Sequence, residues 1–264
     1  MRFFLPMSKK NAIFAQNLLN IMRKHILFLL LLTLIGYGCQ RPITRVEKSE
    51  SIPIDASMDA IQDSAYLAYL VPFQETLQQK GNVVLAHAPQ PLTYGEPESS
   101  ILNWSSDALL VQARKYYPGR VDIAIVNKGS MRTEWQAGDI TVRNLYELMP
   151  FDNELVVITL QGQDILELCQ IFVEDNGQGI ANMTIVGEDK QLAEARIGGQ
   201  PIDPEAYYTV ATSDYLANGM DRMTPLARHI EKWNEHQLIR DLYIDQVKEQ
   251  ATVPAILDHR FIIL

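Results

Sequence analysis

Residues 127–132 read Asn127-Lys128-Gly129-Ser130-Met131-Arg132, and they follow an apolar run at residues 121–126 that only Asp122 interrupts. A short continuous apolar run is typical of a strand that is buried on both faces. The segment 127–132 would then leave the carboxyl end of a buried strand, where the ligand sites of α/β sheets concentrate. This stretch therefore predicts an α/β fold with a binding site at the end of that strand.

The side chains of this segment suit a polar, anionic ligand. Asn127 offers a hydrogen-bond donor and an acceptor, and Arg132 offers a planar fork of donors that matches a phosphate. Gly129 allows the backbone to approach a ligand closely. The alternative is an ordinary turn in which Arg132 is solvated or paired with Glu134. The segment alone does not choose between these interpretations.

Two aromatic side chains occur among turn-forming residues further along the chain. Phe151 lies in Pro150-Phe151-Asp152-Asn153, and Tyr215 lies in Asp214-Tyr215-Leu216-Ala217-Asn218-Gly219-Met220-Asp221. Rings on loops at strand ends can stack on a nucleobase, and each such stack is worth about 1–3 kcal/mol. The alternative is that both rings close the edge of the core.

Asp221 ends the later of these two segments, two residues after Gly219. Its carboxylate could accept hydrogen bonds from ribose hydroxyls. The alternative role is an N-cap for a helix that starts near Arg222. Taken with the rings and the earlier Asn and Arg, this carboxylate predicts a site for a flat, polar, anionic ligand such as a nucleotide.

The rest of the chain alternates helical and strand patterns without a strict βαβ order. We predict the α/β (α+β) class, with mixed β-sheets flanked by helices. The first predicted helix covers residues 57–79, with Ser57 as its cap, Gly81 as its stop signal and a kink or break at Pro72. The other predicted elements are helices at 99–116 and 163–173 and strands at 83–86, 121–126, 155–160, 184–186, 194–197 and 207–212.

Four motifs follow one another along the chain. They are Glu98-Ser99-Ser100-Ile101-Leu102-Asn103-Trp104-Ser105-Ser106-Asp107-Ala108, then residues 127–132, then residues 150–162 with a turn at Gly162, and then residues 207–221. Together they resemble the substrate-binding C-terminal domain of the 5'-nucleotidase family over roughly residues 57–225. The resemblance implies the mixed α/β fold of that domain.

The same resemblance implies a role for each candidate site residue. Phe151 and Tyr215 would clamp the nucleobase. Asn127 and Arg132 would meet the phosphate side of the ligand, and Asp221 would bind the ribose.

The sequence departs from the family pattern at several positions. Pro97 stands where family members often carry an arginine, Ser130 replaces a glycine, and Met220 replaces a glycine before Asp221. Residues 181–183, Ala181-Asn182-Met183, replace a small residue that is expected near the base. These departures concern affinity and base preference, and they leave the predicted fold unchanged.

The N-terminal region has the order of a lipoprotein signal. A basic stretch at residues 22–25 precedes an aliphatic run at residues 26–35, which is shorter than the about 20 residues that cross a bilayer. We therefore expect residues 1–38 to be a signal peptide, with Met22 as an alternative start, and Cys39 to be lipidated. A buried or free Cys39 is the alternative.

The regions after this signal are predicted from composition. Residues 39–56 are expected to form a flexible, lipid-anchored linker, and residues 57–264 the binding domain. The protein would then be exported and held at the bacterial cell envelope, on its periplasmic or outer-surface face. Cys169, within the predicted helix at 163–173, is expected to be a small core residue.

The charge of the chain argues against nucleic acid as a partner. The net charge is -9, and it becomes -14 without residues 1–38, which carry five basic and no acidic residues. A chain this acidic repels a phosphate backbone. A phosphate on a small ligand would have to be bound by a few local donors.

The sequence lacks the motifs that the family uses for hydrolysis. By the resemblance, that chemistry belongs to an N-terminal metallophosphoesterase domain with D-x-H, G-D, G-N-H-[DE] and G-H-x-H in order, and this ordered set does not occur here. The polar stretch from His229 to His236 is expected to be a solvated helix face. We therefore expect no catalytic residue, metal or cofactor in this chain, and divalent metals on a partner. The scattered histidines are His25, His87, His229, His236 and His259.

Two functions remain open from the sequence. The first is the substrate-binding half of a 5'-nucleotidase-like phosphoric monoester hydrolase that works in nucleotide catabolism with a separately encoded metallophosphoesterase. The second is an envelope lipoprotein that captures nucleotides or nucleosides without a catalytic partner. Arg132 favours the first, because a nucleoside offers no phosphate for it to bind. A neighbouring gene with the metal motifs would decide for the first.

Overall fold

The computed structural model describes residues 18–30, 49–51, 53–55 and 63–264, and the chain divides into the units Met1–Gln62 and Asp63–Leu264. Within the first unit, residues 18–30 form a helix. The predicted lipidation site Cys39 lies outside the described residues, as does Ser57. No helix in the described ranges combines the length and the apolar character needed to cross a membrane.

The second unit has the predicted fold class, with mixed sheets and flanking helices. One sheet has five strands, one has four and one has two. The elements in chain order are α1 (Ser64–Gly81), β1 (Val84–Ala88), α2 (Ser100–Tyr116), β2 (Ile123–Val126), β3 (Gly138–Thr141), α3 (Val142–Leu148), β4 (Glu154–Gln161), α4 (Gly162–Glu174), β5 (Gly179–Ala181), β6 (Met183–Glu188), β7 (Gln191–Ile197), β8 (Gln200–Pro201), β9 (Tyr207–Ser213), α5 (Asp214–Ala217), β10 (Glu231–Leu238), α6 (Ile239–Gln250) and β11 (Phe261–Ile263).

The five-stranded sheet has the order β10-β4-β9-β2-β5 and separates two hydrophobic cores. Strand β2 runs parallel to β9, and every other neighbouring pair in this sheet is antiparallel. Successive side chains of a strand point to opposite faces. In β2, Ala124 and Val126 accordingly enter the core that α2 and α6 cover, while Ile123 and Ile125 enter the core that α4 covers. A fully apolar β2 is required because both of its faces are buried.

The described first helix of the second unit begins at Ser64, and the predicted cap Ser57 lies outside the described residues. The carboxylate of Asp63 accepts hydrogen bonds from the backbone N–H groups of Ala65 and Tyr66, at 3.0 and 3.1 Å, and so caps this helix. The helix also continues through Pro72 instead of dividing there. Because the turn around Pro72 is exposed, water can hydrate the carbonyl that proline cannot bond.

The polar stretch near His236 is a strand, which corrects the predicted helix face. Strand β10 pairs antiparallel with β4 at the edge of the sheet, and the His236 ring nitrogen Nδ1 lies 3.0 Å from the Glu154 carboxylate. An edge strand is held by backbone bonds and keeps its side chains near solvent, so it tolerates this polar sequence. The side chain of His236 is exposed, as expected.

Cys169 lies on α4 and is part of the core that this helix covers, as predicted. It is fully buried, and this burial raises the pKa of its thiol to about 12. A thiol with such a pKa stays protonated and unreactive at neutral pH.

Candidate functional site

Three chain segments meet at one edge of the five-stranded sheet because of the strand directions. The parallel strands β2 and β9 end at the same edge, and β4, antiparallel to β9, begins there, with Leu155 opposite Ser213. Asn127 follows β2, Phe151 precedes β4, and Tyr215 follows β9. Segments that are far apart in the sequence therefore converge on one place.

These segments enclose a cavity of about 370 Å³. This volume lies within the range of about 300–1,000 Å³ that is usual for small-molecule pockets. All five residues predicted for the site line it, and their binding roles remain predictions. The lining residues are Asn127, Gly129, Ser130, Arg132, Phe151, Asn153, Tyr215 and Asp221.

A hydrogen-bonded pair of polar side chains forms one wall of this pocket. The buried Asn127 donates from Nδ2 to Oδ2 of Asp221 at 2.6 Å, and its Oδ1 accepts from the Ser130 hydroxyl. Ser130, one of the departures from the family pattern, therefore helps to orient Asn127. Asp221 has a positive φ of 56° and is not followed by an α-helix, so its alternative role as a helix N-cap is wrong.

Arg132 is the positively charged residue that lines the pocket, and no described carboxylate neutralises it. Its guanidinium carbon lies 5.2 Å from the centroid of the Phe151 ring, and within residues 63–264 no carboxylate forms an ion pair with it. Glu134 instead accepts a hydrogen bond from the backbone N–H of Tyr94 at 2.7 Å, so the predicted alternative of an Arg132–Glu134 pair is wrong. The backbone N–H of Arg132 donates to the Leu148 carbonyl at 2.7 Å, which fixes the loop.

Two other cations near the pocket are neutralised by the protein. Lys128 donates to the Glu96 carboxylate at 3.2 Å and to a backbone carbonyl at 2.7 Å. Arg222 forms ion pairs with Glu174 and Asp175. An anionic ligand would therefore find its positive partner in Arg132.

The two rings belong to the pocket and not to the core. Neither Phe151 nor Tyr215 is a member of either hydrophobic core, and Tyr215 is 44% exposed. Their loops are tied together, since the Asp214 carboxylate accepts from the backbone N–H of Glu154 at 3.0 Å. The structure thus favours rings at a cleft, with Phe151 half-buried and Tyr215 exposed, over rings that close the core.

Asn153 in the pocket wall and Arg240 behind the Phe151 loop had no predicted role. Asn153 lines the pocket, and its place in the motif at residues 150–153 was the available signal. Arg240 donates to the Phe151 carbonyl at 3.2 Å and to the Asp152 carboxylate at 2.7 Å, and it lies 4.3 Å from the Tyr146 ring centroid. The spacing of buried residues could have predicted α6, but nothing local connects Arg240 to a loop 89 residues earlier.

A second groove, of about 500 Å³, continues the pocket past Gly129 and Arg132. Burial raises the pKa of Tyr94 in its wall, and the neighbouring Glu134 adds to that effect. The pKa of Glu96 is lowered by a hydrogen bond from Asn176 and by Lys128. The groove gives a ligand held at the rings room to extend beyond Arg132.

Residues 181–183 do not line the pocket, which corrects their predicted place near the base. Ala181 ends β5 within the sheet, and Asn182 donates to the Asp122 carbonyl at 2.8 Å. Met183 starts β6, away from the site. Met220 is also absent from the lining residues. In the described ranges, no three His, Cys, Asp or Glu side chains are grouped so that they could hold a metal ion.

Comparison with known proteins relates residues 84–228 to a protein family. They match the family model described as 5'-nucleotidase, C-terminal domain. The chain is 25% identical over 187 residues to a 5'-nucleotidase of Vibrio cholerae, covering 68% of this chain and 33% of that protein. It thus spans about a third of the length of the curated relatives that it matches.

Solved structures share the fold. A 5'-nucleotidase precursor from Thermus thermophilus has a TM-score of 0.67 at 27% identity, over 76% of this chain and 42% of that chain. The NAD nucleotidase of Haemophilus influenzae has a TM-score of 0.60 at 16% identity, over 77% of this chain and 42% of that chain. The second similarity, at so low an identity, concerns the fold alone.

Proposed function

This chain belongs to the 5'-nucleotidase C-terminal domain family, and we propose that it is the nucleotide-binding half of a 5'-nucleotidase-like phosphoric monoester hydrolase. One observation carries the proposal. The residues Asn127, Arg132, Phe151, Tyr215 and Asp221, chosen for base, ribose and phosphate contacts, line a single pocket of suitable volume.

Each part of a nucleotide has a matching group in this pocket. The rings of Phe151 and Tyr215 offer faces for the base, as aromatic platforms do for single-stranded nucleic acids. The Asp221 carboxylate, held by Asn127, offers an acceptor for ribose hydroxyls. The uncommitted guanidinium of Arg132 offers charge-assisted hydrogen bonds to a phosphate.

The hydrolytic step is assigned to a second chain. A separately encoded metallophosphoesterase would supply two divalent metals that activate water for in-line attack on phosphorus. The present chain would hold the nucleotide by its base and ribose and direct its phosphate past Arg132.

Calorimetric titration of the purified chain with AMP and with adenosine tests the binding role. We expect Arg132→Ala to weaken AMP binding by about 1.5–3 kcal/mol, the usual worth of a hydrogen bond to a charged group, and to leave adenosine binding nearly unchanged. Arg196→Ala is the matched control, because Arg196 is an exposed arginine that pairs with Glu194 outside the pocket.

The comparison of the two ligands separates the candidate functions. Equal losses for AMP and adenosine would mean that Arg132 does not contact phosphate, and the capture of nucleosides would then be the better proposal. No measurable binding of either ligand would contradict both functions. The envelope anchor stays a separate prediction, and unchanged detergent partitioning of Cys39→Ala would contradict it.

A further inference from the structure

Helix α1 exposes an apolar surface that the folded unit does not use. Over residues 64–74 the helix has no charged side chain, although the whole chain is rich in acidic residues. Tyr66, Tyr69 and Phe73 are 59%, 64% and 53% exposed. The exposed large apolar side chains of this helix are Tyr66, Leu67, Tyr69, Val71, Phe73 and Leu77.

This surface is large for a solvent-exposed helix. The three rings alone expose roughly 350 Å², taking about 200 Å² for each ring, which lies in the lower part of the range of about 300–600 Å² for the largest apolar patch on a typical monomer. A helix that is apolar on all sides is normally buried. Depletion of charge together with enrichment in Tyr and Phe is the composition of an interface core.

The C-terminal end of α1 is linked to the Phe151 loop by a series of side-chain contacts. It packs on α3 and borders a cavity of about 380 Å³ that Leu77, Val142 and Tyr146 line. The Tyr146 ring lies against Arg240, which also donates to the Phe151 carbonyl and to Asp152. A protein bound to α1 and α3 would therefore contact Tyr146, and Arg240 alone would separate Tyr146 from the loop that carries Phe151.

We propose that α1 is the docking helix for the metallophosphoesterase chain, which receives it in an apolar groove. The inference rests on the proposed function. The family match begins at residue 84, three residues after α1 ends, so α1 leads directly into the domain. The relatives are about three times as long as the stretch they share with this chain, and the shared domain is the C-terminal one.

Two other binding partners, a second copy of the chain and a membrane surface, fit the surface of α1 less well. A second copy of the chain would cover one side of a helix that is exposed on several sides, and each copy carries a charge of -9. A helix that lies on a membrane surface is usually rich in Lys and Arg on its polar face. In α1, Lys80 is the single basic residue, and it lies in the last turn. An apolar groove in a larger protein could cover several sides of α1 and would suit its lack of charged side chains.

The test uses the full chain and the metallophosphoesterases that the same genome encodes. The metallophosphoesterases chosen carry the four metal motifs and lack a C-terminal domain of this family. Sedimentation velocity measures binding for the wild type, for Tyr69→Glu and Phe73→Glu on α1, and for Tyr207→Glu as control. Tyr207 is 58% exposed on β9, so the control places the same charge on another exposed ring. AMP titrations of all four proteins report on the pocket.

We expect one metallophosphoesterase to bind the wild type and the control equally, and each α1 variant at least 30-fold more weakly, with AMP affinity and thermal melting unchanged. Equal binding by the α1 variants would overturn the docking role and leave the proposed function standing. Binding of no metallophosphoesterase would overturn the proposed partnership, and the docking role with it. Self-association of the wild type, or its adsorption to phosphatidylcholine–phosphatidylglycerol vesicles, that the α1 variants abolish would assign the helix to those occupants instead.

Discussion

At the scale of single residues, Phe151 contacts one arginine through its ring and another through its backbone carbonyl. Its ring faces the pocket with the Arg132 guanidinium 5.2 Å from the centroid, while its carbonyl accepts from Arg240 behind the loop. The ring is therefore placed by backbone contacts and not by burial in the core. In the proposed binding mode, a base that stacks on this ring would lie near the Arg132 guanidinium, which we propose as the phosphate contact.

We expect Phe151→Ala and Tyr215→Ala each to weaken AMP binding by about 1–3 kcal/mol, because each removes one stacking face. The free energy of unfolding should change little, since neither ring belongs to a core. Calorimetric titration and thermal melts on the same samples measure both quantities. Tyr207→Ala, which removes an exposed ring outside the pocket, is the control.

The melts decide between the two interpretations of these rings. A loss of about 3–5 kcal/mol of stability, as expected for a buried ring that is removed, would show that the rings close the core after all. Unchanged AMP affinity in both variants would remove the aromatic clamp from the site.

At the scale of elements, the first family motif holds the C-terminal segment in place. The Glu98 carboxylate accepts from the backbone N–H groups of Asp258 and His259, both at 3.0 Å, and Asn103 donates to the Ile256 carbonyl at 3.1 Å. Asp107 accepts two hydrogen bonds from Arg260, at 2.7 and 2.9 Å. These polar residues of α2 and of the segment before it thus stabilise the fold, and they do not line the candidate pocket.

Asp107→Asn should therefore destabilise the fold without affecting the ligand. We expect a loss of about 1–3 kcal/mol in the free energy of unfolding, because the buried Arg260 would lose a charged acceptor. Chemical denaturation measures this loss, and Asp189→Asn in the exposed turn between β6 and β7 is the control. A weaker affinity for AMP in a fully folded Asp107→Asn protein would contradict the structural role.

The same ion-pair cluster gives stability a pH dependence. Hydrogen bonding to Arg260 holds the pKa of Asp258 below its usual range. A carboxyl group whose folded-state pKa is lowered stabilises the fold above its unfolded pKa. That contribution is lost as the pH falls through the lowered pKa, and so at acidic and not at neutral pH.

The elements also show which parts of the fold could be predicted from sequence. Helix α2 was predictable because Ser99 caps it, and β2 was predictable because it is apolar on both faces. Strand β10 was not, since an edge strand is fixed by pairing with β4 and its own sequence is polar. The five residues that converge on the pocket could be named from their motifs. The place of Arg240 behind the Phe151 loop could not, because it follows from contacts between distant segments and no local sequence pattern contains them.

At the scale of the whole molecule, ligand binding and chemistry are expected to reside on different chains. The described part of this chain provides a pocket, an arginine in that pocket that no carboxylate pairs with, and an exposed helix. Phosphate hydrolysis at two metals needs several His and carboxylate ligands around each ion. In residues 63–264, some acidic side chains instead form ion pairs with arginines, as Asp107 and Asp175 do, or accept hydrogen bonds from backbone N–H groups, as Glu98 does.

We expect the purified full chain to release no phosphate from AMP or from an aryl phosphate with zinc, manganese or magnesium added. The physical reason is that the described residues group no three metal-ligating side chains, and that a guanidinium such as that of Arg132 cannot activate water. A phosphate-release assay measures this, with an active 5'-nucleotidase as the positive control. Metal-dependent turnover that follows the chain through every purification step, and that Arg132→Ala reduces, would place catalysis on this chain. The proposed role predicts that turnover appears only when a metallophosphoesterase is added. It also predicts that this turnover falls when Phe151→Ala replaces the wild type, because the chain would then bind the nucleotide less tightly.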